Sequence, residues 1–118
     1  MRITWLDVKN DLPSIIAQEG DDFVYLPPGG ADDTCRYEWD GAASCLIARY
    51  LVSLGFPLEA FHGFEGSDIQ DAIQEGLFNG TDFSAEPEAI LAMYAVQNLQ
   101  DTQFLWGDAY SQVFEPTN

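Results

Sequence analysis

Apolar positions between residues 4 and 19 recur at helical spacing. Thr4 has the side chain of a helix N-cap, and Asp7 places negative charge in the first turn that would follow. Pro13 falls inside the segment, so either the helix kinks there or a second helix begins with Pro13 in its first turn. The pattern predicts a helix that ends at the polar run 19–22, with inward positions at Trp5, Val8, Leu12, Ile15 and Ile16.

The most apolar segment of the chain lies at residues 43–54. It is hydrophobic nearly all round, which predicts a central buried helix. Gly55 is placed to cap the C-terminus of that helix, and Pro57 prevents its continuation. Pro57 also suits the first turn of a short helix, "PLEAFHGF", and Ser67 opens a capping-box pattern before "DIQDAIQEG". We therefore expect two short helices after the central one.

The longest predicted helix begins near Ser84 and runs to about Gln100. A further short helix is predicted over "WGDAYSQVF", and residues 115–118 read as a loose tail. The inward stripe of the long helix is predicted to consist of Ala89, Ala92, Met93, Val96 and Leu99.

Strand patterns are confined to the N-terminal third. "FVYL" at 23–26 predicts a strand that ends at "PPGG", and "TCRYEW" alternates as a second strand would. Asp40-Gly41 favours a tight turn that leads either into a hairpin partner or directly into the central helix. The chain is thus predicted to be one domain, residues 1–118, with five or six helices. Its fold class is mostly α, or α+β with a small two-stranded sheet in the N-terminal third packed on a helical core.

Charge separates this chain from an average globular domain. Four Lys and Arg face twenty Asp and Glu, for a formal net charge of −16. The four fixed cations are Arg2, Lys9, Arg36 and Arg49, so residues 50–118 hold none, while eleven carboxylates occur from Glu59 to Glu115. Most surface carboxylates therefore lack an internal ion-pair partner, and their repulsion is screened by salt.

Three interpretations of this charge remain open. It prevents self-association, it meets a partner protein with a basic surface, or it reflects adaptation to high salt. The absence of a basic patch disfavours direct binding to nucleic acid and to anionic membranes. The apolar stretch Cys45–Leu54 is too short to span a membrane, and no secretory signal core is present, which predicts a cytoplasmic protein. The expected partner-binding carboxylates, called here the acidic set, are Glu65, Asp68, Asp71, Glu75, Asp82, Glu86 and Glu88.

The two cysteines, Cys35 and Cys45, do not define a reactive site by themselves. Metal binding needs three or four ligands, and His62 is the sole histidine, so no metal or cofactor is expected. A disulfide across the Asp40-Gly41 turn is geometrically conceivable but disfavoured in a reducing compartment. Nucleophilic catalysis by Cys45 with His62 as base is an alternative, whereas two buried structural thiols is the leading interpretation.

Arg49 interrupts a helix that is otherwise apolar. A guanidinium in such a place needs a carboxylate or carbonyl partner, and Glu38 and Asp40 are the candidates close in sequence. We therefore expect a structural ion pair at Arg49 in preference to an anion-binding site.

Two segments resemble a known group of proteins. They are "DFVYLPPGGADDTCRYEWDGAASCLIARYLVSLGFPLEAF" and "NLQDTQFLWGDAYSQV". Both are similar to short, acidic, uncharacterised proteins of actinobacteriophages, above all mycobacteriophages, and of their actinobacterial hosts. The resemblance implies a small phage accessory protein in the host cytoplasm, and such proteins commonly act by binding one host protein.

The leading functional expectation is a non-enzymatic protein that binds a basic host protein through its acidic surface. Imitation of a nucleic acid by carboxylates in the 65–88 region is one version of it. The alternatives are a small cysteine-dependent enzyme that uses Cys45 and His62, and a structural or self-assembling phage component.

Overall fold

The computed structural model describes residues 1–25 and 36–115. Within those residues there are five α-helices, one 3-10 helix and four two-residue strands. The helices are α1 (Trp5–Glu19), α2 (Leu46–Ser53), the 3-10 helix (Leu58–Gly63), α3 (Ile69–Gln74), α4 (Pro87–Asp101) and α5 (Trp106–Phe114). The strands are β1 (Arg2–Ile3), β2 (Glu38–Trp39), β3 (Ala42–Ala43) and β4 (Ser84–Ala85). The expectations for "PPGG", for Cys35 and for residues 116–118 fall outside the described part of the chain.

The predicted fold class is confirmed: a small antiparallel pair of strands packs on a helical core. β2 and β3 pair with Glu38 opposite Ala43 and Trp39 opposite Ala42. A second pair was not predicted, because β1 and β4 are too short to show alternation. They run parallel and join Arg2 to Ser84, far apart in the sequence. The predicted strand at 23–26 is wrong over its described residues, which make a single bridge from Val24 to Leu105.

Helix α1 passes through Pro13 without a break. Thr4 is the predicted N-cap, and it forms a capping box with Asp7 through reciprocal hydrogen bonds of 3.1 and 2.9 Å, so Asp7 does more than supply first-turn charge. Pro13 has no N–H, so the carbonyl of Lys9 loses its helical donor. The hydroxyl of Tyr110 in α5 donates to that carbonyl at 2.6 Å. A side chain from a distant helix therefore replaces the bond that proline removes.

The segment that holds Asp40 and Gly41 is a tight hairpin that leads into α2. Both residues have positive φ, 55° and 80°, the conformation that a two-residue hairpin turn requires. Because Ala42 and Ala43 complete the hairpin, α2 begins at Leu46, three residues later than predicted at 43.

The C-terminus of α2 follows the prediction at Gly55, which has a φ of 99°. Its N–H donates to the carbonyl of Val52, and the N–H of Phe56 donates to the carbonyl of Leu51. This pair of bonds is a Schellman motif, and both Leu51 and Phe56 are buried, as the motif favours.

Helix α3 begins one residue later than the sequence suggested. Asp68, not Ser67, is the N-cap, and its carboxylate accepts from the N–H of Asp71 at 2.8 Å. The carbonyl of Ser67 is held elsewhere, by the hydroxyl of Tyr37 at 2.5 Å.

Helix α4 lies at the centre of the arrangement and packs against α1, α2, α3 and α5. One contiguous cluster of buried side chains includes residues from all five α-helices. Ring contacts of 4.8 to 6.3 Å join Tyr37 to Phe56, Phe61 and Phe78 of this cluster and to Phe83, which is partly buried and packs against it.

Candidate functional site

Arg49 forms an ion pair, but not with the partners expected from the sequence. Its Nη1 lies 2.6 Å from Oε1 of Glu19 at the end of α1, rather than near Glu38 or Asp40. Its Nε donates to the carbonyl of Ser44 at 3.0 Å, and the guanidinium lies 5.3 Å from the ring centroid of Trp106. These contacts connect α1, α2 and α5, which indicates a structural role for the charge.

Cys45 and His62 occupy different environments. Cys45 is the N-cap residue of α2, a free thiol with 0% exposure inside the core cluster. His62 is exposed in the last turn of the 3-10 helix. Among the described residues, no group of three or more His, Cys, Asp or Glu side chains converges in a way that could hold a metal ion.

Two buried glutamines on α4 were missed by the sequence analysis. Gln97 is 1% exposed; its Oε1 accepts from the N–H of Ile69 at 2.7 Å and its Nε2 donates to Tyr37 at 3.1 Å. Ile69 is the first residue of α3, where backbone N–H groups have no partner within the helix. Gln97 therefore completes the cap of α3 from another helix.

Gln100 acts in the same way on α2. It is 1% exposed, and its Oε1 accepts from the N–H of Leu46, the first residue of α2, at 2.9 Å. The N-cap of α2 is Cys45, whose side chain makes no capping bond. The signal in the sequence was the position of both glutamines one helical turn apart, on the same side of α4 as Met93 and Val96.

Asp101 follows Gln100 and accepts from its Nε2 at 2.9 Å. Although the residue as a whole is exposed, partial burial of its carboxyl group raises the pKa of Asp101, and the nearby charge of Asp68 adds to the shift. The hydrogen bond from Gln100 acts in the opposite direction.

Three members of the acidic set bind backbone N–H groups of this chain. Glu65 accepts from the N–H groups of Tyr37 and Glu38, each at 2.9 Å, and so fixes the backbone at the start of β2. Asp68 caps α3, as described above. Glu86 is the N-cap residue of α4 and accepts from the N–H of Trp5 at 2.7 Å, so its charge lies near the N-termini of two helices.

The other four members of the acidic set have exposed side chains. Their carboxylates make no hydrogen bond or ion pair with any described residue. They are Asp71, Glu75, Asp82 and Glu88. The structure thus divides the acidic set into three carboxylates that organise the fold and four that face solvent.

Two surface grooves bring acidic side chains together. The first lies between α1 and α5, has a volume of about 410 Å³, and is lined by four carboxylates: Asp21, Asp22, Asp108 and Glu115. Tyr110 also lines it, and partial burial followed by the charge of Glu115 raises the pKa of this phenol.

The second groove is mostly apolar and lies where α1, α4 and α5 meet. Its volume is about 530 Å³. Its apolar lining comes chiefly from Trp5, Leu91, Ala95 and Val113, and its carboxylates are Glu86 and Glu88. We call it the α4 groove. It is thus the point at which the acidic set meets an exposed apolar surface.

Comparison of the chain with protein-family models, with curated proteins and with solved structures gives no match. Among the described residues, no helix has both the length and the apolar character needed to cross a membrane.

Proposed function

We propose that this chain is a non-enzymatic phage accessory protein that binds a host protein with a basic surface. The observation that carries the proposal is a set of exposed carboxylates that have no partner among the described residues: Asp71, Glu75, Asp82 and Glu88. Residues 50–118 contain no Lys or Arg, so the second half of the chain supplies no countercharge for them. A cationic partner would supply it and would be attracted over a long range at low salt.

The acidic set is favoured over the acidic groove between α1 and α5 because it adjoins an apolar surface. Exposed charges mainly raise association rates and are screened by salt, whereas buried apolar area contributes to the affinity of the complex. The acidic set combines the two, through Glu86 and Glu88 in the α4 groove. Imitation of nucleic acid is a specific version, in which the host partner is itself a DNA- or RNA-binding protein.

Two matched variants test the proposal. One neutralises the exposed carboxylates of the acidic set: Asp71→Asn, Glu75→Gln, Asp82→Asn and Glu88→Gln. The other neutralises the same number in the groove between α1 and α5: Asp21→Asn, Asp22→Asn, Asp108→Asn and Glu115→Gln. Both change the net charge equally. Tagged wild type and variants are used to capture proteins from an actinobacterial lysate at about 0.1 M and about 0.5 M salt.

The proposal predicts a specific protein that is captured by wild type at low salt and lost with the first variant, but retained with the second. Capture should weaken strongly at the higher salt, since screening shortens the range of the attraction. Equal capture by both variants, or capture unchanged at high salt, would reject binding through the acidic set. Competition by duplex DNA would support the nucleic-acid version.

A further inference from the structure

The α4 groove exposes a large apolar side chain where most helices carry polar ones. Leu91 is 54% exposed and lines the groove together with Ala95, whose small side chain leaves space beside it. Exposed single leucines are common, but one that forms the wall of an apolar groove marks a surface suited to contact.

Trp5 gives this groove a fixed wall. Its ring packs against Phe114 of α5 with centroids 5.4 Å apart, and the ammonium of Lys9 lies 5.3 Å from the ring centroid. Its backbone N–H is held by Glu86. An aromatic side chain held in this way contributes contact area with little loss of conformational freedom on binding.

The carboxylates of the groove determine which partner fits. Glu86 is fixed by its bond to Trp5, while Glu88, one turn before Leu91, is exposed and without a partner among the described residues. Lys or Arg beside an apolar anchor would meet these charges as the anchor enters the groove. A second copy of this chain is a poor occupant because each copy carries a net charge of −16.

From this arrangement we infer that the α4 groove binds a basic amphipathic segment of a partner protein. A large apolar side chain of the segment packs on Leu91 and Trp5, and its flanking Lys or Arg pairs with Glu86 and Glu88. The inference rests on the proposed function and specifies the partner: a cationic helix or strand with an apolar face, rather than a purely polar basic tail.

The test uses a synthetic helical peptide of about 18 residues, with Leu on one face and Lys on the other. One control peptide keeps every Lys and replaces Leu with Ser. A second keeps every Leu and replaces Lys with Glu. Calorimetry measures the binding of each to wild type, to Leu91→Lys and to Leu6→Lys. Leu6 is the matched control because it is 58% exposed and does not line the groove.

The expected result is binding of the basic amphipathic peptide that weakens by about tenfold or more in Leu91→Lys and by less than about twofold in Leu6→Lys. The two control peptides should bind at least about tenfold more weakly to wild type. Both variants add the same charge, so a difference between them reflects position.

Other outcomes would overturn the inference in distinguishable ways. If the Ser peptide binds as tightly as the Leu peptide and both variants behave alike, the groove is not used, although charge-based binding stands. If the Glu peptide binds as tightly as the Lys peptide, the proposed function fails together with the basic partner. If no peptide binds, the groove inference fails. If wild type sediments as a dimer and Leu91→Lys as a monomer, the occupant is a second copy.

Discussion

Each face of α4 carries residues that depart from the usual relation between polarity and burial. The inward face carries Gln97 and Gln100, each 1% exposed, whereas the outward face carries Leu91, 54% exposed. An ordinary surface helix places such residues the other way round. The two departures have separate reasons: the buried glutamines cap other helices, whereas the exposed leucine lies on a surface that no described residue covers.

On the inward face, the glutamines perform a capping task for other helices. The first N–H groups of α2 and α3 point at α4, and an apolar residue there would leave them buried without an acceptor. On the outward face, nothing in the described part of the chain covers Leu91. The inward departure therefore stabilises the fold, and the outward one is available to a partner.

The largest effect is expected from Gln97→Leu. The variant fits the apolar pattern of α4, yet it removes the acceptor of the Ile69 N–H and the donor to Tyr37. Leaving buried polar groups without partners costs about 1–3 kcal/mol each, and we expect a loss of about 2–3 kcal/mol in the free energy of unfolding. Urea denaturation measures it, with Asn98→Leu as the exposed neighbouring control. A variant as stable as wild type would contradict the capping role of Gln97.

The side chain of Tyr110 also bonds a backbone group that has no helical partner. Its substitution tests whether such bonds stabilise the fold outside α4. Tyr110→Phe should destabilise the protein by about 1 kcal/mol, because the carbonyl of Lys9 loses its donor. In a Pro13→Ala background, the helix supplies its own N–H, so the same change should cost less. A double-mutant cycle by thermal unfolding gives the coupling, and a coupling of zero would contradict the explanation.

A smaller effect is expected at Asp101, where the inward face ends. Its pKa is raised in the folded state, so the folded protein binds a proton more readily than the unfolded chain. Stability from this group is therefore lowest at neutral pH and rises as pH falls through the folded-state value. Asp101→Asn, which keeps the Oδ1 acceptor, should be slightly more stable at pH 7, and this advantage should shrink on acidification. Tm measured for both proteins between pH 7 and pH 4 tests this expectation. An advantage of the variant that grows at low pH would refute a raised pKa of Asp101.

The smallest effect on stability is expected on the outward face. Leu91→Gln should change the free energy of unfolding by less than about 0.5 kcal/mol, because the side chain is half exposed and has no buried partner to lose. Urea denaturation beside Gln97→Leu provides the direct contrast. A loss above about 1 kcal/mol would mean that Leu91 belongs to the core and not to a binding surface.

The sequence was sufficient for features that depend on local chemistry. The N-cap at Thr4, the C-terminal turn at Gly55 and the helix over 106–114 are confirmed, because neighbouring residues determine each of them. The fold class is confirmed for the same reason, since the helical periodicity of the apolar residues is strong.

Contacts between residues far apart in the sequence account for the features that the sequence did not predict. The partner of Arg49 is Glu19, 30 residues away, and nothing near Arg49 in the sequence indicates it. The caps supplied by Gln97 and Gln100 come from residues 28 and 54 positions away. The acidic set could be identified from charge alone, but its division into Glu65, Asp68 and Glu86, which bind backbone N–H groups, and the four exposed carboxylates required the structure.

The most direct test of this division of α4 is an amide NMR titration with the basic amphipathic peptide. We predict shift changes at Glu88, Leu91 and Ala95, on the outward face, while the amides of Leu46 and Ile69, held by the inward glutamines, keep their positions. Changes centred on Leu46 and Ile69, or spread evenly over all acidic surfaces including Asp108, would contradict the assignment of one face to the fold and the other to a partner.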